Sequence, residues 1–168
     1  LSMTGSTADF GTQTKRGFDM AFDEINKAGG INGRKLRLET LDDQGKADEA
    51  GNAVTRLIDI NGAVAILGEV ASSLSLVGGR ICQRRGIPMV TPSSTNTAVT
   101  AVGDHVFRVC FIDPFQGYVM ARFARENQHR PKVAIFKDVR NDYSIGLAES
   151  FRTEFLRAGG TIAAEESY

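Results

Sequence analysis

Apolar positions along the chain follow two alternating spacings. Phe18, Ala21, Phe22 and Ile25 recur every three to four residues after a loop over Ser2 to Asp9, which sets them on one face of a helix. Gly29-Gly30 closes that helix, because glycine takes the left-handed cap conformation without steric cost. Past the Ile31-Asn32-Gly33 turn, Leu36, Leu38 and Leu41 predict a strand that ends at Asp42-Asp43. Ala47, Ala50, Val54, Leu57 and Ile58 form a second helical face, closed by Asn61-Gly62. The run Ala63 to Leu67 is wholly apolar and predicts a short strand covered on both faces. Leu74, Val77 and Ile81 predict a helix ending near Gly86, and Ile87 to Val90 a strand stopped by Thr91-Pro92.

The alternation continues to the last residue. Val106 to Ile112 reads as a strand, and Asp113-Pro114 opens a helix through Ala124. Val133 to Phe136 predicts a strand ending in Lys137-Asp138. Ile145, Ala148, Phe151 and Phe155 predict a helix capped by Gly159-Gly160, and Thr161 to Ala164 begins a final strand. Strands alternating with helices imply parallel pairing with helices on both faces. Right-handed crossovers then give an α/β, Rossmann-like, doubly wound parallel sheet. The chain opens in a loop feeding a helix, where such a sheet ordinarily opens with a strand, and it closes on a strand with no helix to cover it. It is therefore expected to be a fragment.

Composition narrows the function classes. Twenty basic and 20 acidic residues cancel in a chain of 168, with no block of one sign, so neither nucleic acid nor an anionic membrane is an expected partner. No stretch approaches the roughly 18 apolar residues of a membrane span, and no signal peptide opens the chain. Cys82 and Cys110 stand far apart and form no Cys-x-x-Cys; both are expected to behave as small buried hydrophobes.

Ligands of open α/β sheets bind beyond the carboxyl ends of the strands. Three loops qualify: Thr4 to Gly11, Glu69 to Ser73, and Ser93-Ser94-Thr95-Asn96. All are rich in small hydroxyl residues. The first two lead into helix N-termini, whose unpaired N–H groups favour an anion such as a carboxylate. Each loop alone is also ordinary cap or turn chemistry. Enzymatic signatures fail. Gly29-Gly30-x-x-Gly33 follows a helix and precedes a strand, the reverse of a phosphate loop, and the Walker spacing is absent. His105 and His129 are isolated, with no zinc spacing. Asp42-Asp43 reads as a solvated turn or helix cap rather than a metal site. No catalytic residue, metal or cofactor is expected.

Several of these segments resemble the leucine/isoleucine/valine-binding proteins of bacterial ABC importers. The similar stretches are Thr4-Gly5 with Gly11 and Gly17, the run Ala21-Phe22-Asp23-Glu24-Ile25-Asn26-x-x-Gly29-Gly30-Ile31-Asn32-Gly33-Arg34-Lys35-Leu36, Asp42-Asp43, Ile66-Leu67-Gly68 with Ser72-Ser73, Pro92-Ser93-Ser94-Thr95-Asn96, Phe107-Arg108 and Asp113-x-x-Gln116-Gly117. The resemblance implies the type I periplasmic binding protein fold, two Rossmann-like lobes enclosing the ligand. It implies that residues 1–112 are lobe I without its first strand and that 113–168 begin lobe II. It further implies that Ser72 holds a ligand α-carboxylate, that Thr95 contacts carboxylate and ammonium, and that the Ser93 carbonyl accepts from the ammonium, with Ser94 in the same loop. Phe10, Val70 and Ala71 would line the side-chain wall, and Tyr143 would close over the ligand. The acidic partner of the ammonium would lie beyond Tyr168. A disulfide of some relatives is absent, since Gly45 and Ala71 occupy its positions.

The implied function is capture of a small amino acid, branched-chain or related, for the membrane permease of an ABC importer. The expected location is periplasmic or otherwise extracytoplasmic, free or lipid-anchored. The competing reading is a ligand-binding sensor domain of a regulator or receptor with the same fold. Self-association of the fragment is a further expectation.

Overall fold

The computed structural model describes all 168 residues. Helices α1 (Ala8–Lys27) and α2 (Ala47–Asp59) precede strand β1 (Ile66–Leu67). Helix α3 (Ser72–Arg85), β2 (Met89–Thr91), a 3-10 turn (Thr97–Val102) and β3 (Val106–Arg108) follow. Next come α4 (Asp113–Arg122) with a π-turn over Phe123–Asn127, β4 (Lys132–Lys137), α5 (Asp142–Arg157) and β5 (Thr161–Ser167). Strands β1, β2 and β3 form one parallel sheet in that order, with Ile66 beside Met89 and Met89 beside Val106. Strands β4 and β5 form a second parallel pair. The α/β class with parallel sheets is thus the one observed.

Three boundaries differ from the sequence pattern, each for a backbone reason. The Leu36 to Leu41 stretch carries no strand ladder. The Leu36 N–H donates to the side chain of Asn26 in α1 at 2.7 Å, and its carbonyl accepts from the same side chain at 2.9 Å. Residues 63–65 do not join β1: the Ala63 amide turns back to the Leu57 carbonyl, and Val64 is 84% exposed. Strand β3 stops at Arg108, short of Ile112, because its partner β2 ends at Thr91 and Pro92 offers no N–H to continue the ladder.

Each sheet has its own packing. Val54, Ile66, Cys82 and Met89 form a buried cluster between α2, α3 and the sheet, with Leu57, Ile58 and Ile81 against it. Cys82 is fully buried and Cys110 half-buried, both as free thiols; burial pushes the Cys82 thiol up to about 11. Beside the second sheet, Phe155 is fully buried and stacks on Phe151 with centroids 5.3 Å apart. Helices α4 and α5 touch through backbone at Gly117, where a Cβ would lie 2.6 Å from the Phe151 nitrogen. That approach fixes α5, and with it the loop before it, against the end of α4. No helix is long and apolar enough to cross a membrane.

Candidate ligand-binding site

The loops after β1 and β2 are held by a buried hydroxyl network. Thr91 Oγ1 donates to the Glu69 carbonyl at 2.5 Å. Ser94 Oγ and Ser75 Oγ lie 3.1 and 2.9 Å from the same carbonyl, and 2.7 Å from each other. The Glu69 carboxylate turns back to accept from the Val70 and Ala71 amides at 2.7 and 3.1 Å, and from Ser2 N at 2.9 Å. Burial and the neighbouring Asp43 carboxylate push the Glu69 carboxyl above its ordinary value. Ser93 Oγ donates across to the Val70 carbonyl at 3.0 Å, and Asn96 N donates to Ser72 Oγ at 3.2 Å, so the two loops brace one another.

From below, Arg108 Nη1 donates to the carbonyls of Ser94 and Asn96 at 2.9 and 2.8 Å, while Nη2 donates to Thr100 Oγ1 at 2.6 Å. The Thr95 carbonyl accepts from Asp113 N at 3.0 Å. The Ser93 to Asn96 loop is therefore tied at nearly every residue, and a polar group it presents is held in place before any ligand arrives.

This bracing shapes a cavity of about 380 Å³ lined by Thr7, Phe10, Val70, Ala71, Ser72, Ser93, Thr95, Phe111, Gln116, Asn141 and Tyr143. The volume falls within the range of small-molecule sites. Seven of the eight residues named from the sequence lie on it: Phe10, Val70, Ala71, Ser72, Ser93, Thr95 and Tyr143. Ser94 does not; it is buried beneath the loop as part of the network that holds it. Phe10 sits in the first turn of α1, which begins earlier than the sequence pattern implies, and is 67% exposed.

Several donors beside this cavity have no acceptor in the protein. The Thr95 hydroxyl is buried beside the Asp113 carboxyl, and the Thr7 hydroxyl is buried against Gly45, where a Cβ would lie 3.1 Å from it; neither meets a partner at good hydrogen-bond geometry. The amides of Ser72, Ser73 and Leu74, at the start of α3, find no acceptor, nor does the amide of Thr95. The first amides of any helix lack intrahelical acceptors, and here four such donors, including the Thr95 amide, stand together. Amides and hydroxyls converging at a helix N-terminus suit a carboxylate. Asp113 lies just behind Thr95 at 1% exposure, and neither of its carboxylate oxygens has a hydrogen-bond partner. Burial raises its pKa, partly offset by the nearby Thr95 hydroxyl and the Arg108 guanidinium.

Across the cavity, Tyr143 Oη accepts from Gln116 Nε2 at 3.1 Å, which leaves the phenolic proton free for another acceptor. Asn141 caps α5, its side chain accepting from the Tyr143 and Ser144 amides at 3.0 and 3.4 Å. Gln116, Asn141, Thr7, Phe111 and the clamp Arg108 were not singled out from the sequence. Arg108 and Gln116 stood inside motifs of the family resemblance, the one signal that pointed at them.

Asp42 and Asp43 divide between two environments. Asp43 is buried, not solvated; it accepts from Ser2 Oγ at 2.7 Å and Gly45 N at 3.0 Å. Asp42 stays exposed. Desolvation acts to raise its carboxyl, but bonds from the Thr4 hydroxyl and the Gln44, Met3 and Thr4 amides outweigh it and bring it down to about 2. A depressed carboxyl stabilises the fold above its unfolded pKa of 3.8, and that contribution is lost as pH falls from there through about 2. Solvent screens the site, so the effect is small. Asp42→Asn is expected to lower the melting temperature at pH 6 and to leave it unchanged at pH 2. An equal loss at both would assign the effect to packing.

Fold and cavity together define a Rossmann-like α/β protein with a small-molecule cleft between two parallel units. A profile of the periplasmic binding protein family matches residues 1–168. An amino acid binding protein of Pseudomonas aeruginosa is 36% identical over 157 residues, covering 93% of this chain and 42% of that protein. Leu/Ile/Val-binding protein homolog 3 of Brucella melitensis is 35% identical over 160 residues, covering 95% and 43%. Among solved structures, the leucine-binding protein LivK of Thermotoga maritima superposes with a TM-score of 0.93 at 41% identity, covering 99% of this chain and 47% of that one. The branched-chain amino acid binding protein LivJ of Streptococcus pneumoniae, in complex with isoleucine, gives 0.92 at 31% identity, covering 99% and 47%. The chain belongs to the periplasmic binding protein family, and its fold is of type I. It spans under half the length of these relatives.

Proposed function

We propose that this chain is part of a solute-binding protein that captures a neutral amino acid, branched-chain or closely similar, for the permease of an ABC importer. The observation that carries this reading is the set of backbone donors without acceptors beside one cavity: the α3 N-terminal amides and the Thr95 amide. Ser72 and Thr95 would hold the α-carboxylate, and the Ser93 carbonyl would accept from the ammonium.

The remaining lining argues for the side chain. No lining residue carries a charge, while Phe10, Val70, Ala71 and Phe111 supply apolar surface. An acidic or basic side chain would lose its hydration there without gaining a partner. Tyr143, from the start of α5, would close the cavity from the opposite side. We read residues 1–112 as belonging to one lobe and 113–168 as opening a second. The exposed Phe115, Val119 and Phe123 of α4 and its π-turn suit burial against further parts of the protein. Binding rather than catalysis, at an extracytoplasmic location, accords with the names of the relatives.

Native mass spectrometry of the full-length protein, purified without unfolding, tests the ligand class. The expected spectrum carries one added neutral amino acid per protein. A retained nucleotide or sugar would contradict the reading.

A further inference from the structure

Beside the cavity, α5 meets the first sheet's loops at a joint that the lining does not include. The backbone of Asp142 is held from both sides. Its N–H donates to Ser73 Oγ at 2.9 Å, and its carbonyl accepts from Asn96 Nδ2 at 2.7 Å. Ser73 stands in the first turn of α3 and Asn96 at the end of the loop after β2. One helical turn further along α5, Gly146 presses on the same loop: a Cβ there would lie 2.6 Å from Asn96 Nδ2 and 2.7 Å from Asp113 Oδ2. Ser73, Asn96, Asp142 and Gly146 are all absent from the cavity wall, whereas Asn141 and Tyr143, on either side of Asp142, are part of it.

This arrangement separates recognition from retention. One wall of the cavity comes from the start of α1 and the loops after β1 and β2, the other from Phe111, α4 and the start of α5. The cavity is enclosed only while the two walls meet, and the Asp142 joint is where their backbones are fastened. We infer that Ser73, Asn96 and Gly146 form a latch that sets how long a bound ligand stays enclosed, without choosing which ligand binds. This rests on the amino-acid-binding reading above. The bonds run to the backbone of residue 142, so they tolerate any side chain there, while a larger residue at 146 must displace the Asn96 amide that makes one of them. A change that loosens the latch lowers the population of the closed form and reduces apparent affinity by that fraction, mostly through faster dissociation.

The variants follow from the contacts. Gly146→Ala places a methyl group against Asn96 and Asp113 and favours the helix otherwise. Ser73→Ala removes one bond to Asp142 while keeping the α3 amide. Asn96→Asp keeps the acceptor that caps the turn at Ala98 N but loses the donor to Asp142. It also adds a negative charge beside a second cavity already lined by Asp113, Asp142, Glu149 and Glu154. Stopped-flow fluorescence on the full-length protein with leucine, isoleucine and valine separates the possibilities. Gly146→Ala and Asn96→Asp should raise the dissociation rate by roughly tenfold or more, and Ser73→Ala by a few-fold, with the order of the three amino acids kept and a cooperative melting transition retained. A wild-type protein that binds these ligands, with dissociation unchanged in Ser73→Ala, Asn96→Asp and Gly146→Ala, would overturn the latch alone. So would a changed order of ligands. A wild-type protein that binds none of them would overturn the functional reading and the latch with it.

Discussion

Replacing both Ser72 and Thr95 by alanine is expected to take amino-acid binding by the full-length protein below ready detection. On the proposed reading each hydroxyl would bond a charged ligand group, and such a bond is worth about 1.5–3 kcal/mol. That is roughly 10- to 150-fold in affinity for each single variant. The two residues are adjacent: Ser72 Oγ also accepts from the Asn96 amide, so the double variant loosens the loop carrying Thr95 as well as removing its hydroxyl. Their effects should therefore couple rather than simply add. Thr95→Ser, which keeps the hydroxyl, should retain most of the affinity. Calorimetric titration checks all four proteins, and unchanged affinity in both alanine variants would remove these residues from the site.

Arg108→Met is expected to cost about 2–4 kcal/mol of stability, because it leaves the Ser94 and Asn96 carbonyls unpaired under a buried loop. It should weaken ligand binding as well, although Arg108 does not line the cavity. Its planar fork reaches two carbonyls and the Thr100 hydroxyl at once, a pattern that a lysine point charge cannot reproduce. Arg108→Lys should thus recover only part of the loss. Removing the guanidinium also takes away a charge that holds the Asp113 carboxyl down. Chemical denaturation gives the stability and titration the affinity. An Arg108→Met protein with wild-type values in both would show that the hydroxyl network alone holds the loop.

The helices were the most legible part of the sequence. The apolar spacing from Phe18 to Ile25 found α1, and Asp113-Pro114 marked the first turn of α4, where proline's missing N–H costs nothing. Strand ends were less legible because a ladder depends on its neighbour. Val109 to Ile112 continue the apolar pattern, yet β3 ends at Arg108 because the strand beside it runs into Pro92. Leu36 to Leu41 look like a strand, but a helix side chain takes the backbone bonds at Leu36.

The residues alone pointed to three hydroxyl-rich loops at one sheet edge. Assigning roles within them came from the family resemblance, which placed seven residues that line one cavity. Ser94 shows the limit of reading a loop as a unit: neighbouring hydroxyls in a tight turn point opposite ways, and this one is spent on the Glu69 carbonyl. Arg108 stood in a motif of the resemblance, but its role did not show there, because it holds the Ser94 and Asn96 carbonyls 12 or more residues away, contacts made only after folding. The place of the Thr7 hydroxyl likewise becomes visible only once α1 is docked.

On the proposed reading this cavity takes a neutral amino acid, held by its charged ends with an uncharged side chain. Calorimetric titration of the full-length protein with leucine, isoleucine and valine, against glutamate and lysine as charged controls, tests it most directly. One-to-one binding of at least one branched-chain amino acid is expected, with no measurable heat from either charged control. Binding of glutamate or lysine at equal or greater affinity, or of none of the branched-chain amino acids, would contradict it.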